Sequence, residues 1–300
     1  MYHCILNPQA GRGDGPKFLP FIKESVKNDE LDIKITTGPN DAVNFAKEAV
    51  ESKSQGIIAV GGDGTVQEIV TGMLSGRDKC DIPLKIISCG SGNDLKRSLN
   101  RLNKLAIKDV EDAGDANDTH YIDAIRVGER ACLNIANIGL DAKIVYNARR
   151  FKRFFGKNAY VLSAIISIAG HKNIPLVVNL DDGSVKLDDS SVKNEFTLVA
   201  ICNGQYYGGN MRIAPSAQID DGLITLCMID SLSKLKALTL FPLVLMDRHA
   251  GLKPIRYTEC KKVSITTNGP QTLCLDGNLY ECEGLVEFEI LPSAIRVVVD

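Results

Sequence analysis

The first third of the chain alternates without interruption between short apolar runs and helical patterns, and this alternation restricts the fold more than any other feature. "YHCIL" reads as a strand, Pro16 to Asn28 as a helix, "LDIKIT" as a strand and Asp41 to Ser54 as a helix. The series continues with "GIIAV" as a strand, Thr65 to Leu74 as a helix, "LKIIS" as a strand and a helix from Asn93 onward. A strand that returns to its own sheet through a helix lies parallel to its neighbour, so the pattern predicts an α/β layer fold. Beyond about residue 120 the texture changes to strand-like runs between turn signals. These are "YIDAIRV", "ACLNIAN", "PLVVNL", "SVKL", "EFTLVAICNG", "GLITLCMI", "KKVSITT", "QTLCLDG", "LVEFEIL" and "AIRVVVD". Helical insertions at Gly139 to Ala169 and Ser233 to Leu245 interrupt them. The polar, acidic stretch "DVEDAGDANDTH" makes the boundary, giving an α/β domain over 1–119 and a β-rich domain from residue 120.

The composition excludes several classes. No apolar run exceeds nine residues and no charged region precedes an apolar core at the N-terminus, so neither a spanning helix nor a signal peptide is expected. Nine scattered cysteines without a CxxC suggest free thiols in a reducing cytoplasm. A net charge of -2 argues against nucleic acid as a partner.

Three of the strand-to-helix loops are rich in glycine: "NPQAGRGDG", "GGDGT" and "CGSGND". Ligands of parallel α/β sheets bind where strands hand over to helices, and a helix N-terminus presents free N–H groups and a positive dipole end. Glycine lets that backbone approach a phosphate closely. Neither G-x-x-x-x-G-K-[ST] nor a complete dinucleotide-binding G-x-G-x-x-G is present, which excludes P-loop and Rossmann readings. Asp63 and Asp94 lie inside the loops, where bare carboxylates repel phosphate. A Mg²⁺ ion bridging them to the nucleotide, or hydrogen bonds to ribose or loop amides, removes the conflict.

"NPQAGRG", "GGDGTVQEIV", "GSGNDLKRSL", "NIGLDA", "YYGGNMRIAPSAQIDDG" and "CLDG" resemble, in order and approximate spacing, the diacylglycerol kinase catalytic family, which includes bacterial lipid kinases and the sphingosine and ceramide kinases. The resemblance runs through essentially the whole chain. It implies an N-terminal three-layer α/β nucleotide-binding domain and a C-terminal β-sandwich over 120–292. It also implies an active site in the cleft between them and a final segment, 293–300, that returns to the first domain. By the same resemblance, Asn7, Gly11 and Arg12 form the first phosphate loop. Gly61, Gly62, Asp63, Gly64 and Thr65 form the second, with Glu68 behind it, and Gly90, Ser91, Gly92, Asn93 and Asp94 form the third. Asp276 matches the aspartate that deprotonates the lipid hydroxyl. Asp63, Asp94, Asp220 and Asp221 are the candidate metal ligands.

The chain departs from the family pattern at four points, the first being Ser91, which replaces the more usual threonine. Asn278 stands where Asp-Gly-Glu usually ends, which removes a carboxylate. Ser216 and Thr225 replace acids that support a structural magnesium site in some relatives. The four histidines form no ligand cluster and read as structural. The run "RRFKRFFGK", Arg149 to Lys157, carries five basic residues and three phenylalanines; it suits docking on anionic headgroups, or equally a helix end whose phenylalanines enter the core. The expected function is an ATP- and Mg²⁺-dependent lipid kinase of phospholipid biosynthesis, cytoplasmic or peripheral at the inner face of the membrane, with room for a homodimer. A kinase of a soluble substrate of the NAD-kinase type and a nucleotide-binding pseudokinase are the alternatives.

Overall fold

The computed structural model describes residues 1–26, 30–90, 92–99, 119–155, 159–180 and 191–299. In the first domain β1 (Tyr2–Leu6), α1 (Leu19–Val26), β2 (Leu31–Ile35), α2 (Asp41–Glu51), β3 (Gly56–Gly61), α3 (Asp63–Met73) and β4 (Cys80–Ser88) follow one another. A helix α4 begins at residue 94 and is described to residue 99. The strands lie parallel in the order β2-β1-β3-β4.

Alternation along each strand makes the three layers, because successive side chains point to opposite faces. Cys4, Leu6, Ile58 and Val60 pack against Ile22 and Val26 of α1. Ile5, Ile57 and Ala59 pack on the other face against Ala42, Ala46, Val66, Ile69 and Met73 of α2 and α3. Every residue of β3 is buried, as a central parallel strand covered on both faces requires. The first helix is shorter than its sequence pattern: Gly15–Phe18 forms a 3-10 turn, and the α-helix starts only at Leu19.

The chain continues with β5 (Thr119–Val127), β6 (Arg130–Cys132) and β7 (Ile135–Gly139), so "ACLNIAN" is two strands. Then come α5 (Leu140–Phe155), α6 (Ala159–Ala169), β8 (Ile174–Leu180), β9 (Ser191–Cys202), β10 (Tyr206–Tyr207), β11 (Met211–Arg212) and β12 (Ile224–Asp230). The chain closes with α7 (Lys234–Leu245), β13 (Ile255–Cys260), β14 (Lys262–Leu275) and β15 (Asn278–Val298). "SVKL" and most of the acidic boundary stretch lie outside the described residues. The strands curl around one apolar core to which β5, β7, β8, β9, β12, β14 and β15 all contribute, with Phe196 and Phe288 at its centre. The outer side of β9 and β12 is covered by α5, α6 and α7, so both strands are buried on both faces: Val199 and Ile201 point into the sandwich, Leu198 and Ala200 toward the helices. This is an α/β domain joined to a β-sandwich-like domain.

One strand belongs to both domains. The first part of β15 pairs antiparallel with β14, and its last part lies between β5 and β4, with Val297 and Val298 parallel to Leu84 and Lys85. The ladder slips between Leu291 and Ile295, where Ser293 adopts a φ of 51° and donates its N–H to Asp123 Oδ1 at 2.7 Å.

Candidate active site

A cleft of about 930 Å³ opens where the first domain's loops face the β14–β15 turn. Asn7, Gly11, Gly62, Asp63, Gly64, Thr65, Glu68, Gly90, Gly92 and Asp276 line it.

The glycine loops are held together by their own side chains. Asn7, at the end of β1, accepts from Gln9 N and donates to Thr65 Oγ1 at 3.0 Å, so the first loop is fixed to the second. The second and third loops touch backbone to backbone. A Cβ on Gly90 would lie 2.8 Å from Gly62 Cα, a distance that real Cβ atoms do not adopt. Gly61 lies just behind this contact, at the last position of β3 against the Thr65 side chain. Asn93, with a φ of 52°, keeps a buried Oδ1 beside Gly90 that no donor among the described residues reaches. Ser91 and the Arg12 side chain lie outside the described residues.

Asp63 opens α3, and its Oδ1 is 3.5 Å from Leu95 N at the start of α4, so it sits at two helix N-termini. Desolvation, then the charge of Asp94, push its carboxyl up to about 6. Asp94 is tied into both domains by hydrogen bonds. Its Oδ1 accepts from Arg97 at 2.8 Å and Asn210 N at 3.0 Å, and its Oδ2 from Gly209 N at 2.9 Å. Through these bonds Asp94 clasps the β10–β11 hairpin of the second domain. Asp220 and Asp221 do not line the cleft. Asp221 caps Leu223 N at 3.0 Å, and the pair adjoins Asp123, whose oxygens receive Gly222 N and Ser293 N at 2.7 Å each. Among the described residues no cluster of three or more His, Cys, Asp or Glu could hold a metal.

Asp63 nevertheless suits Mg²⁺, which needs only one or two carboxylates when phosphate supplies the remaining ligands. A Cβ on Gly92 would fall 2.7 Å from Asp63 Oδ2 and 3.2 Å from Asp94 Oδ2, so glycine keeps a cradle open beside the carboxylate. The cleft also carries Glu68 and Asp276, and burial raises Glu68 as well.

Asp276 and Gly277 form a two-residue hairpin loop, with φ of 44° and 89°, between the paired Leu275 and Asn278. The turn aims the Asp276 carboxylate at the chain between β6 and β7. There Leu133 N donates to Oδ2 at 2.7 Å, Ile135 N to Oδ1 at 2.8 Å, and Asn134 N to Oδ1 at 3.1 Å. Burial pushes this acid up to about 7 against those three donors, with the Asp63 charge adding to the rise. Two carboxylates from opposite domains thus line the same cleft.

The neighbouring Asn278 forms another tie between the domains. Its Nδ2 donates to the Gly64 carbonyl at 2.8 Å and to Gln67 Oε1 at 2.9 Å, and Tyr280 donates to the same Gln67 oxygen at 2.9 Å. Gln67, fully buried on α3, donates in turn to the Ala131 carbonyl at 2.8 Å. Two backbone carbonyls, which can only accept, fix both amide orientations.

Sequence reasoning missed several cleft residues. Thr36 to Asn40 form a fourth loop, held by Asp41, which accepts from Thr37 N, Thr37 Oγ1 and Gly38 N at 2.7–2.9 Å. The Gly-Pro pair after "LDIKIT" was the available signal. Arg130 stacks 4.2 Å above the Tyr280 ring. Nothing in "GERA" marks it, because its partner is 150 residues away. The Asp141 side chain and most side chains of Arg149 to Lys157, on α5 and beyond, lie outside the described residues.

Residues 1–128 match the diacylglycerol kinase catalytic domain family, and residues 134–299 match the YegS C-terminal NAD kinase beta sandwich-like domain family. A Mycobacterium tuberculosis protein named diacylglycerol kinase is 26% identical, covering 98% of this chain and 94% of its own. A Shewanella frigidimarina protein named as a YegS-like lipid kinase is 26% identical, covering 89% and 84%. A crystal structure of a Bacillus anthracis protein described as a diacylglycerol kinase shares the fold, with a TM-score of 0.75 over 100% of this chain and 96% of the other at 23% identity.

Proposed function

Because the chain belongs to the diacylglycerol kinase family of lipid kinases, its catalytic domain joined to a YegS-type β-sandwich domain, we propose that it transfers the γ-phosphoryl group of ATP, with Mg²⁺, to a hydroxyl of a membrane lipid such as diacylglycerol. The observation that carries this reading is that Asp63, on a glycine loop of one domain, and Asp276, on a hairpin of the other, line one cleft.

In this reading Gly62, Gly64, Gly90 and Gly92 bring backbone N–H groups to the phosphates, while Asn7 and Thr65 hold two of the loops in register. Asp63 is the carboxylate that holds Mg²⁺, whose chemistry there is to neutralise phosphate charge beside an acid. Asp276 receives the lipid hydroxyl, orients it in line with the γ-phosphorus and takes its proton as the new P–O bond forms. ADP leaves with the electrons of the broken bond. Phosphoryl transfer depends mainly on positioning and charge neutralisation, so one anchored carboxylate is sufficient.

The test is incubation with γ-labelled ATP, Mg²⁺ and a panel of lipids, with NAD as a soluble acceptor. Label is expected on a lipid, and is lost on chelation of Mg²⁺ and in Asp63→Asn. Label on NAD alone, or on nothing, would overturn the reading.

A further inference from the structure

We propose that the outer face shared by α6 and α7 is the surface by which this enzyme seats on an anionic phospholipid bilayer, an inference that rests on the lipid-kinase reading of the cleft. The two helices touch and cover the same core: Ala164 and Ile168 of α6 and Ala237, Leu240 and Val244 of α7 pack on β9 and β12. Their opposite faces therefore point away from the protein on one side.

A surface helix normally turns polar residues outward. These do not. On α7 the exposed positions include Leu235, Leu238, Pro242 and Leu245, followed by the capping residue Met246. At 100° per residue the first four fall within about 80° of arc. Leu235 is 72% exposed and Met246 63%. On α6 the exposed residues are Val161, Ile165, Ile166 and Ala169. Seven of the thirteen large apolar side chains exposed among the described residues lie on these helices and the α7 cap, a concentration that scattered surface residues do not produce.

The charges identify the occupant. Neither helix contains an acid, while Lys234 and Lys236 flank the α7 stripe and Lys172 follows α6. Asp247 beyond α7 is paired with Arg212 at 2.9 Å. An apolar stripe bordered by lysines complements acyl chains below a layer of anionic headgroups. A symmetric dimer through this face would instead bring like charges together with no acid on either helix to answer them. Beneath the face, Leu140, Ile144, Tyr207, Met211, Leu240 and Phe241 line a narrow apolar crevice. Its Leu140 lies five residues along the chain from Ile135, whose N–H holds Asp276. At about 3.3 Å per residue that strand spans roughly 16 Å. Tyr207 and Met211 belong to the hairpin clasped by Asp94. The crevice thus adjoins elements that hold Asp276 and Asp94.

The test uses vesicles of equal parts phosphatidylglycerol and phosphatidylcholine, with the full chain. Wild type is expected to co-sediment with them. The exposed triple variant Leu235→Gln, Leu238→Gln, Leu245→Gln should bind roughly tenfold or more weakly. Lys234→Gln and Lys236→Gln should each cost about fivefold, with a shallower salt dependence. Turnover on a short-chain soluble diacylglycerol should be the same in all of them. Vesicle binding by the triple variant equal to wild type, or no binding by wild type, overturns the assignment of this face. So does sedimentation velocity showing that the triple variant converts a dimer to a monomer without losing vesicle binding. Vesicle binding that depends on the face, in a protein that phosphorylates no lipid, leaves the surface standing and removes the proposed substrate.

Discussion

Replacing Asn278 by glutamate restores the family's usual acid, and its arithmetic here is unfavourable. The Asn278 amide donates two hydrogen bonds, to the Gly64 carbonyl and to Gln67 Oε1. A carboxylate has no hydrogen to donate, so Asn278→Glu loses both and places negative charge against two acceptors. Gln67 cannot turn its amide to compensate without breaking its bond to Ala131 O. At about 0.5–1.5 kcal/mol net for each bond, the loss is about 1–3 kcal/mol. At roughly 2–4 °C per kcal/mol for chains of 150–250 residues, melting should fall by several degrees. Gly64 is one residue from Asp63, so the tie also positions the second glycine loop, and the KM for ATP should rise while kcat on a soluble lipid falls. Calorimetry with steady-state kinetics decides the matter, and Asn278→Ala, which removes the bonds without adding charge, should fall between wild type and glutamate. A glutamate variant that melts with wild type and turns over as fast or faster would refute the reasoning.

Asp276→Asn should lower kcat by about 10² to 10⁴ with little change in ATP affinity, read from initial rates on the best lipid found, with circular dichroism to verify the fold. Turnover should rise with pH to a plateau above about 7, because the acid at about 7 must be ionised to receive the hydroxyl, and a flat profile between pH 6 and 8 would contradict this. Stability should move in the opposite direction. Asp63 and Asp276 bind protons in the folded chain at pH values where the unfolded chain has released them, so the melting temperature should fall as pH rises from about 4 to 7 and then level off. Gly90→Ala pushes a methyl group into the Gly62 backbone and should abolish phosphorylation, while Gly62→Ala, whose Cβ meets Gly90 Cα at an ordinary 3.4 Å, should retain a folded protein; melting curves and ATP titration separate the two. Asp94→Asn keeps the size of the clasp but puts an amide where both oxygens accept N–H groups, so it should weaken domain contact and raise susceptibility to limited proteolysis in the β10–β11 hairpin.

The first domain was legible because its signals are local. Each strand of β1 to β4 is a short apolar run, and each helix repeats within its own turns. The second domain was legible in texture and less so in extent. "KKVSITT" and "QTLCLDG" read as two strands because Asn268, Gly269 and Pro270 signal a turn, yet they form the single strand β14. The ladder there slips between Thr267 and Gln271, with Gly269 at a φ of 101°, and pairing resumes beyond it. "LVEFEIL" and "AIRVVVD" are likewise joined across Pro292 and Ser293. A bulge and a turn use the same residues, and only the partner strand distinguishes them. The cleft divides in the same way. The glycine loops announce themselves in the sequence, whereas Gln67 and Tyr280 are ordinary helix and strand residues until Asn278, 211 positions from Gln67, comes to lie beside them.

The shared strand β15 also bears on the order in which the molecule can assemble. The outer edge of β4 is completed by residues 295–298, more than 200 positions later in the chain. As the protein emerges from the ribosome, its nucleotide-binding half therefore carries an unpaired parallel edge through nearly the whole of synthesis, the kind of edge that invites pairing with a stranger. Closing a loop of that length is slow, because the entropy of the intervening chain is lost before the last ladder bonds form. The two halves are thus sealed by one late event, and until Ile295 to Val298 dock, neither has its final sheet.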